Sequence, residues 1–186
     1  MARWEPDAAG RLREAALELY VDRGYEQTTV AEIAERAGVT ARTFFRHYDD
    51  KREVLFAGSQ RLEHAMLEAL TEVDPAADPL TALGASLDAA AGLIGVDQRF
   101  SRRRAAVISA NPELLERELI KMARLADALT SGLVRRDVPE PDARLVAEAA
   151  VAVFRVGFER WVAGPRTGDL AVVLRDALGQ LRTLVG

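Results

Sequence analysis

The chain contains no cysteine. Disulfide cross-links and thiolate-held metals are therefore excluded, and a reducing compartment fits. Proline (7) and glycine (13) are few among 186 residues and gather at the ends of helix-like segments. Runs of β-branched residues bounded by turn signals are missing, so no sheet is expected. No stretch of about 18 apolar residues occurs, so no membrane span is expected. The opening MARWEPDAAGRLRE holds no apolar signal core, and the expectation is a cytoplasmic protein. Familiar catalytic spacing is missing too: there is no HExxH, no nucleophile elbow and no phosphate-cradling glycine loop. His47 and His64 stand alone, so neither an enzyme nor a cofactor is expected.

What remains is a chain dominated by alanine, leucine, arginine and glutamate, all good helix formers. It is 49% hydrophobic, which is enough for one or two helical domains with a core. The net charge of −4 gives no bulk attraction to nucleic acid. Steering depends on where charge sits, however, and Arg36, Arg42, Arg46, Lys51 and Arg52 crowd into one short stretch.

That stretch, Thr28 to Lys51, reads TTVAEIAERAGVTARTFFRHYDDK. Thr29 and Glu32 form a capping-box pattern, and Val30, Ile33, Ala34 and Ala37 share one helical face. Gly38 supplies the residue that a tight turn between helices wants, with Val39 as a plug beneath it. Thr40 can cap a second helix over Ala41–His47. The spacing predicts a helix-turn-helix, whose second helix enters the DNA major groove. Arg42, Thr43 and Arg46 are the expected base contacts, since arginine can bond guanine bidentately and threonine can bond or touch a methyl. Phe44 is expected in the core. Thr29, Thr40, Phe45, His47, Tyr48 and Lys51 are the expected contacts to the sugar-phosphate backbone. Arg3, Arg11 and Arg13 near the first helix are further phosphate candidates.

These residues resemble the DNA-binding domain of TetR-family regulators. The capped helix Thr29–Ala37, the turn Gly38-Val39, the short helix Thr40–His47, the step Phe45-Arg46-His47-Tyr48 and then Lys51 stand in the family's order. Phe45 departs from it, because tyrosine is commoner there. The likeness covers about the first third of the chain. It implies an all-α protein of about nine helices, with a three-helix DNA-binding domain over 1–50 and an effector-binding and dimerisation domain over 51–186. It also implies a ligand-responsive repressor that binds a palindromic double-stranded operator as a homodimer. A helical dimerisation or adaptor protein without DNA binding is the alternative.

A first helix is expected over Asp7–Arg23, with Leu12, Ala16, Leu19 and Tyr20 inward and Gly24 as its stop. One long rod is expected over Lys51–Val73, spanning both domains. Further helices are expected near Pro79–Gly95, Asp97–Ser109, Pro112–Arg136, Pro141–Ala163 and Gly168–Val185, three of them with proline in the first turn. The apolar stripes of the last two helices are the expected dimer surface, with Phe154, Phe158, Trp161, Leu174, Leu178 and Leu181 as its residues. The effector is expected to be a small apolar or acyl-thioester-like molecule. Arg102-Arg103-Arg104 are either a site for its anionic part or a solvated helix face.

Overall fold

The computed structural model describes residues 7–165 and 168–185, and every regular element among them is helical. Nine α-helices follow one another: α1 (Ala8–Arg23), α2 (Val30–Arg36), α3 (Ala41–His47), α4 (Ser59–Glu72), α5 (Pro79–Ile94), α6 (Gln98–Ser109), α7 (Pro112–Val134), α8 (Glu140–Ala163) and α9 (Leu170–Val185). The expectation for Arg3 lies outside the described residues. The described chain forms two compact units. One runs to Gly58 and takes in Arg103–Glu118; the other comprises Ser59–Arg102 and the chain from Leu119 onward.

In the first unit the caps define the helices. Asp7 caps α1 through Gly10 N–H, and Gly24 ends it at φ +90°, a conformation costly for residues with a Cβ. The Thr29–Glu32 capping box opens α2. Gly38, at φ +68°, closes the α2–α3 turn, with its N–H on Glu35 O and the Val39 N–H on Ala34 O. Thr40 then opens α3. The apolar faces meet over Leu12, Ala16, Leu19, Ile33 and Phe44, all buried. Val39, expected as a plug, is only half-buried.

The expected rod over Lys51–Val73 is not one helix. A 3-10 turn, Glu53–Phe56, comes first, and α4 begins only at Ser59. Two features explain the break. Val54, Leu55 and Phe56 are all buried, and three successive positions cannot share one face of an α-helix. Gly58 follows, and glycine disfavours continuing a helix by about 1 kcal/mol relative to alanine.

The segment Arg103–Glu118 joins the first unit through ion pairs. Arg103 meets Glu14 at 3.0 Å, Arg117 meets Glu53 at 2.6 Å, and Glu113 meets Arg52 at 2.7 Å. Arg104 spans both oxygens of Glu118 and also donates to Leu55 O at 2.7 Å.

The second unit packs α4, α5, α8, α9 and the later part of α7 around Met66, Leu83, Leu87, Leu129, Phe154, Trp161 and Leu174. Small residues bring the helices close: Ala82, Ala90, Ala126, Ala143 and Ala147 are all buried. A Cβ on Gly157 would lie 2.5 Å from Leu174 Cδ2, so α8 and α9 touch almost backbone to side chain there. Buried polar groups are satisfied: Ser86 Oγ donates to Met66 O at 2.8 Å and Trp161 Nε1 to Gly168 O at 2.8 Å. Arg136 covers the end of α4 by donating to the carbonyls of Leu70, Val73 and Asp74.

Candidate nucleic-acid interface

The outward face of α3 is built by its own register. Phe44 is fully buried and fixes which way the helix faces, so Arg42, Phe45, Arg46 and His47 turn to solvent. Phe45 is 58% exposed, an uncommon state for a phenylalanine on a seven-residue helix. Thr40, Arg42, Thr43, Phe45 and Arg46 line a shallow open groove. Among the described residues neither Arg42 nor Arg46 has an ionic or hydrogen-bonded partner, unlike most arginines of the chain. Arg36, by contrast, is paired with Glu18 at 3.1 Å.

The two threonines of the groove act as a unit. Thr40 Oγ1 accepts the Thr43 N–H at 3.2 Å, and the two hydroxyls lie 3.1 Å apart. One hydroxyl proton is therefore shared between them, which leaves the other to donate outward.

Several expected backbone contacts have internal partners. Thr29 is closed off by its capping box: its hydroxyl donates to Glu32 Oε2 at 2.8 Å. The same bonds hold the Glu32 carboxyl below its usual range, first through the Thr29 N–H, then through its hydroxyl. Tyr48 is buried, its hydroxyl donates to Ala9 O at 3.0 Å, and burial pushes its pKa up. Lys51 Nζ donates to the carbonyls of Tyr25 (2.9 Å), Thr28 (3.1 Å) and Glu26 (3.3 Å). An ammonium has three protons and this one has three acceptors, so none is left for a phosphate in this conformation. Arg11, also a phosphate candidate, donates through Nε to Ala37 O at 3.1 Å, covering the C-terminal end of α2. Asp50 accepts from the Glu53 and Arg52 N–H groups and from the Arg52 guanidinium. Burial alone would raise its pKa, but these bonds outweigh it and hold the carboxyl below its ordinary value.

The internal roles of Arg11 and Lys51 had no signal in the sequence. Their acceptors are main-chain carbonyls of segments remote in the chain, and any residue supplies a carbonyl.

The expected dimer residues divide. Phe154, Trp161, Leu174 and Leu178 lie in the core of their own unit, Trp161 at 1% and Leu174 at 0% exposure. Phe158 and Leu181 are half-buried at its margin. A side chain already buried by its own chain has no area left to give a partner. The outward apolar residues of the same two helices are Leu145, Val156, Val172 and Leu184. The arginine run on α6 is likewise bonded within the chain: Arg102 donates to Gly164 O at 2.6 Å, while Arg103 and Arg104 hold Glu14 and Glu118. No single helix among the described residues is long and apolar enough to cross a membrane.

Known proteins share this arrangement. Residues 12–57 match the family profile described as bacterial regulatory proteins, tetR family, and residues 77–185 match the profile of the MftR C-terminal domain. The HTH-type transcriptional regulator TcmR of Streptomyces glaucescens is 33% identical, over 92% of this chain and 81% of its own length. The HTH-type transcriptional activator FasR of Mycolicibacterium smegmatis is 28% identical, over 86% and 74%. In fold, the chain is similar to the TetR-family repressor FadR of Thermus thermophilus, solved with lauroyl-CoA. That match has a TM-score of 0.58 and 24% identity, and covers 94% of this chain and 93% of the other. With both profiles matched, one over more than half its length, this chain belongs to the TetR family of helix-turn-helix, DNA-binding transcriptional regulators.

Proposed function

We propose that this regulator is a ligand-responsive repressor that binds a two-fold, palindromic operator as a homodimer in the cytoplasm. The observation that carries the reading is the face of α3, where two unpartnered arginines and an exposed phenylalanine project beside a threonine pair. Arg42, Thr43 and Arg46 read base edges in the major groove. Thr40 and His47 meet phosphates, and Phe45 lies against sugar edges without the hydroxyl that a tyrosine would offer. Thr29, Tyr48 and Lys51 contribute through the shape of the small domain, because their polar groups are occupied inside it.

One seven-residue helix reads too few bases for high specificity, and a two-fold pair doubles the site, with centres about 34–36 Å apart. The two-fold surface that we propose uses the outward side of α8 and α9, around Leu145, Val156 and Val172, while Phe154, Trp161, Leu174 and Leu178 support it from behind. The division into a DNA-reading part over 1–50 and a sensing part over 51–186 belongs to the same reading. The effector is a small apolar or acyl-thioester-like molecule. The lauroyl-CoA bound by the similar FadR supports that class. An effector that changes DNA affinity 5–150-fold needs a coupling of only about 1–3 kcal/mol.

Selection of bound sequences from random duplexes tests the reading. Recovery of an inverted repeat with half-sites about one helical turn apart is the expected outcome. Recovery of no common sequence by a folded protein would favour the adaptor alternative.

A further inference from the structure

The face of α3 is defined as much by the side chains it lacks as by those it has. Thr40–His47 contains no aspartate, glutamate, asparagine or glutamine. Carboxylates and carboxamides are the groups that pair with the exocyclic amino groups of cytosine and adenine in the major groove. Without them, the face is built to meet acceptors rather than donors.

The side chains present fit two bases. Arg42 and Arg46 are exposed, stand one turn apart and have no partner among the described residues. Two like charges at that spacing repel each other in the free protein. A guanidinium only donates, and its fork matches the N7 and O6 acceptors of guanine. Thr43 is half-buried in the same groove, its hydroxyl 3.1 Å from that of Thr40. Thr40 Oγ1 also accepts the Thr43 N–H. Both threonine oxygens are thus engaged, and the pair has one proton to offer outward. A donor beside the Thr43 methyl matches the O4 acceptor beside the 5-methyl of thymine. Phe45, 58% exposed and set edge-on against Phe44 at 5.4 Å, adds an apolar wall with no hydrogen-bonding group.

Given the operator-binding function proposed for this chain, we propose that α3 is a reader of keto bases: Arg42 and Arg46 each take the N7/O6 edge of a guanine, and Thr43 takes a thymine. The spacing of the arginines sets the spacing of the guanines. Four residues of helix rise about 6 Å, which is about two base steps at about 3.4 Å each. Each half-site therefore carries two guanines, on either strand, about two steps apart, with a thymine between or beside them.

Selection from random duplexes with the wild-type protein, followed by single-atom changes in the recovered operator, tests this. 7-Deazaguanine, which lacks N7, should weaken binding about tenfold at each of two half-site positions. Arg42→Ala should become indifferent to that change at one of them and Arg46→Ala at the other. Both side chains are exposed, so the melting temperature should hold. Deoxyuridine in place of one thymine removes a methyl and should weaken binding about fourfold. Thr43→Ser, which keeps the hydroxyl pair, should bind both operators alike and keep the wild-type slope of log affinity against log salt. The nucleotide changes report on the wild-type chain even where a variant fails to fold. A repeat fixed only at A·T pairs, or 7-deazaguanine without effect anywhere in the half-site, would overturn the guanine roles and leave the operator reading standing. Deoxyuridine without effect would overturn the thymine role. If Arg46→Ala weakens all sequences equally and lowers the salt slope by about 0.9 per subunit, Arg46 is a phosphate contact instead. Recovery of no repeat at all would remove the operator reading, and the base assignment with it.

Discussion

Two runs of arginine show how differently one side chain is used in this molecule. On α3, Arg42 and Arg46 project from an exposed face with no partner among the described residues. On α6, Arg102, Arg103 and Arg104 stand in a denser run, and each is bonded to a carbonyl or carboxylate of the chain. The difference lies in what the fold brings opposite. The outer side of α3 is exposed among the described residues. α6 is met by Glu14, Glu118 and the carbonyls of Leu55 and Gly164. Cationic density in a sequence therefore does not count the charges available to DNA. Partners decide, and many of those are main-chain oxygens.

Substitutions can break or sharpen that contrast. The largest effect is expected from the residue that orients the free arginines. Phe44→Ala should cost about 3–5 kcal/mol, as for other fully buried aromatics, and should abolish DNA binding by unfolding the small domain. A denaturant melt checks it, and a loss below about 1 kcal/mol would show that Phe44 does not set the register of α3. Arg42→Ala comes next. Binding to the selected operator should weaken by about 1–3 kcal/mol, with preference relaxed at one base position. The melting temperature should stay within error, because the side chain is exposed and unpaired. Arg104→Ala should do the reverse. About 1–2 kcal/mol of stability is expected to go with the Glu118 and Leu55 bonds, with no change in which base is preferred. If Arg104→Ala alters base preference, the two arginine classes are not separate.

Thr29→Ala should cost about 1 kcal/mol through loss of the α2 cap, again without changing the salt slope. Acid titration gives the smallest and most diffuse effect. Glu32 and Asp50 are both held below the usual carboxylate values, Glu32 by the Thr29 N–H and hydroxyl, and Asp50 by Arg52 and two N–H groups against the opposing effect of burial. Their contribution is complete above the unfolded carboxylate range, about pH 4, and is lost as pH falls through the lower folded values. A thermal melt series should decline in that acid window, and Glu32→Gln should shallow the decline.

Much of this architecture was legible in the chain itself. The capping box at Thr29, the turn glycine Gly38 and the prolines at Pro79 and Pro112 signal helix ends through local chemistry, which sequence carries directly. The register of α3 was legible for the same reason, with Phe44 inward and Arg42 outward. What could not be read depended on remote partners. The rod expected over Lys51–Val73 failed because Val54, Leu55 and Phe56 all found burial sites, which helical periodicity alone argues against. The carbonyls that accept from Lys51 and Arg11 lie on remote segments, so these internal bonds could not be read either. Leu174 and Trp161 lie on apolar stripes, but a stripe does not say whether its cover is the same chain or a second copy.

The near-contact of Gly157 with Leu174 has a bearing on assembly. A side chain added at position 157 would wedge against the end of the Leu174 side chain, which must shift to make room, at the contact between α8 and α9, the two helices whose outer sides form the proposed two-fold surface. In a symmetric pair such a wedge is inserted twice, once in each copy. On the proposed two-fold reading, that seam sets the spacing between recognition helices, so the substitution is expected to change which operator spacing is preferred.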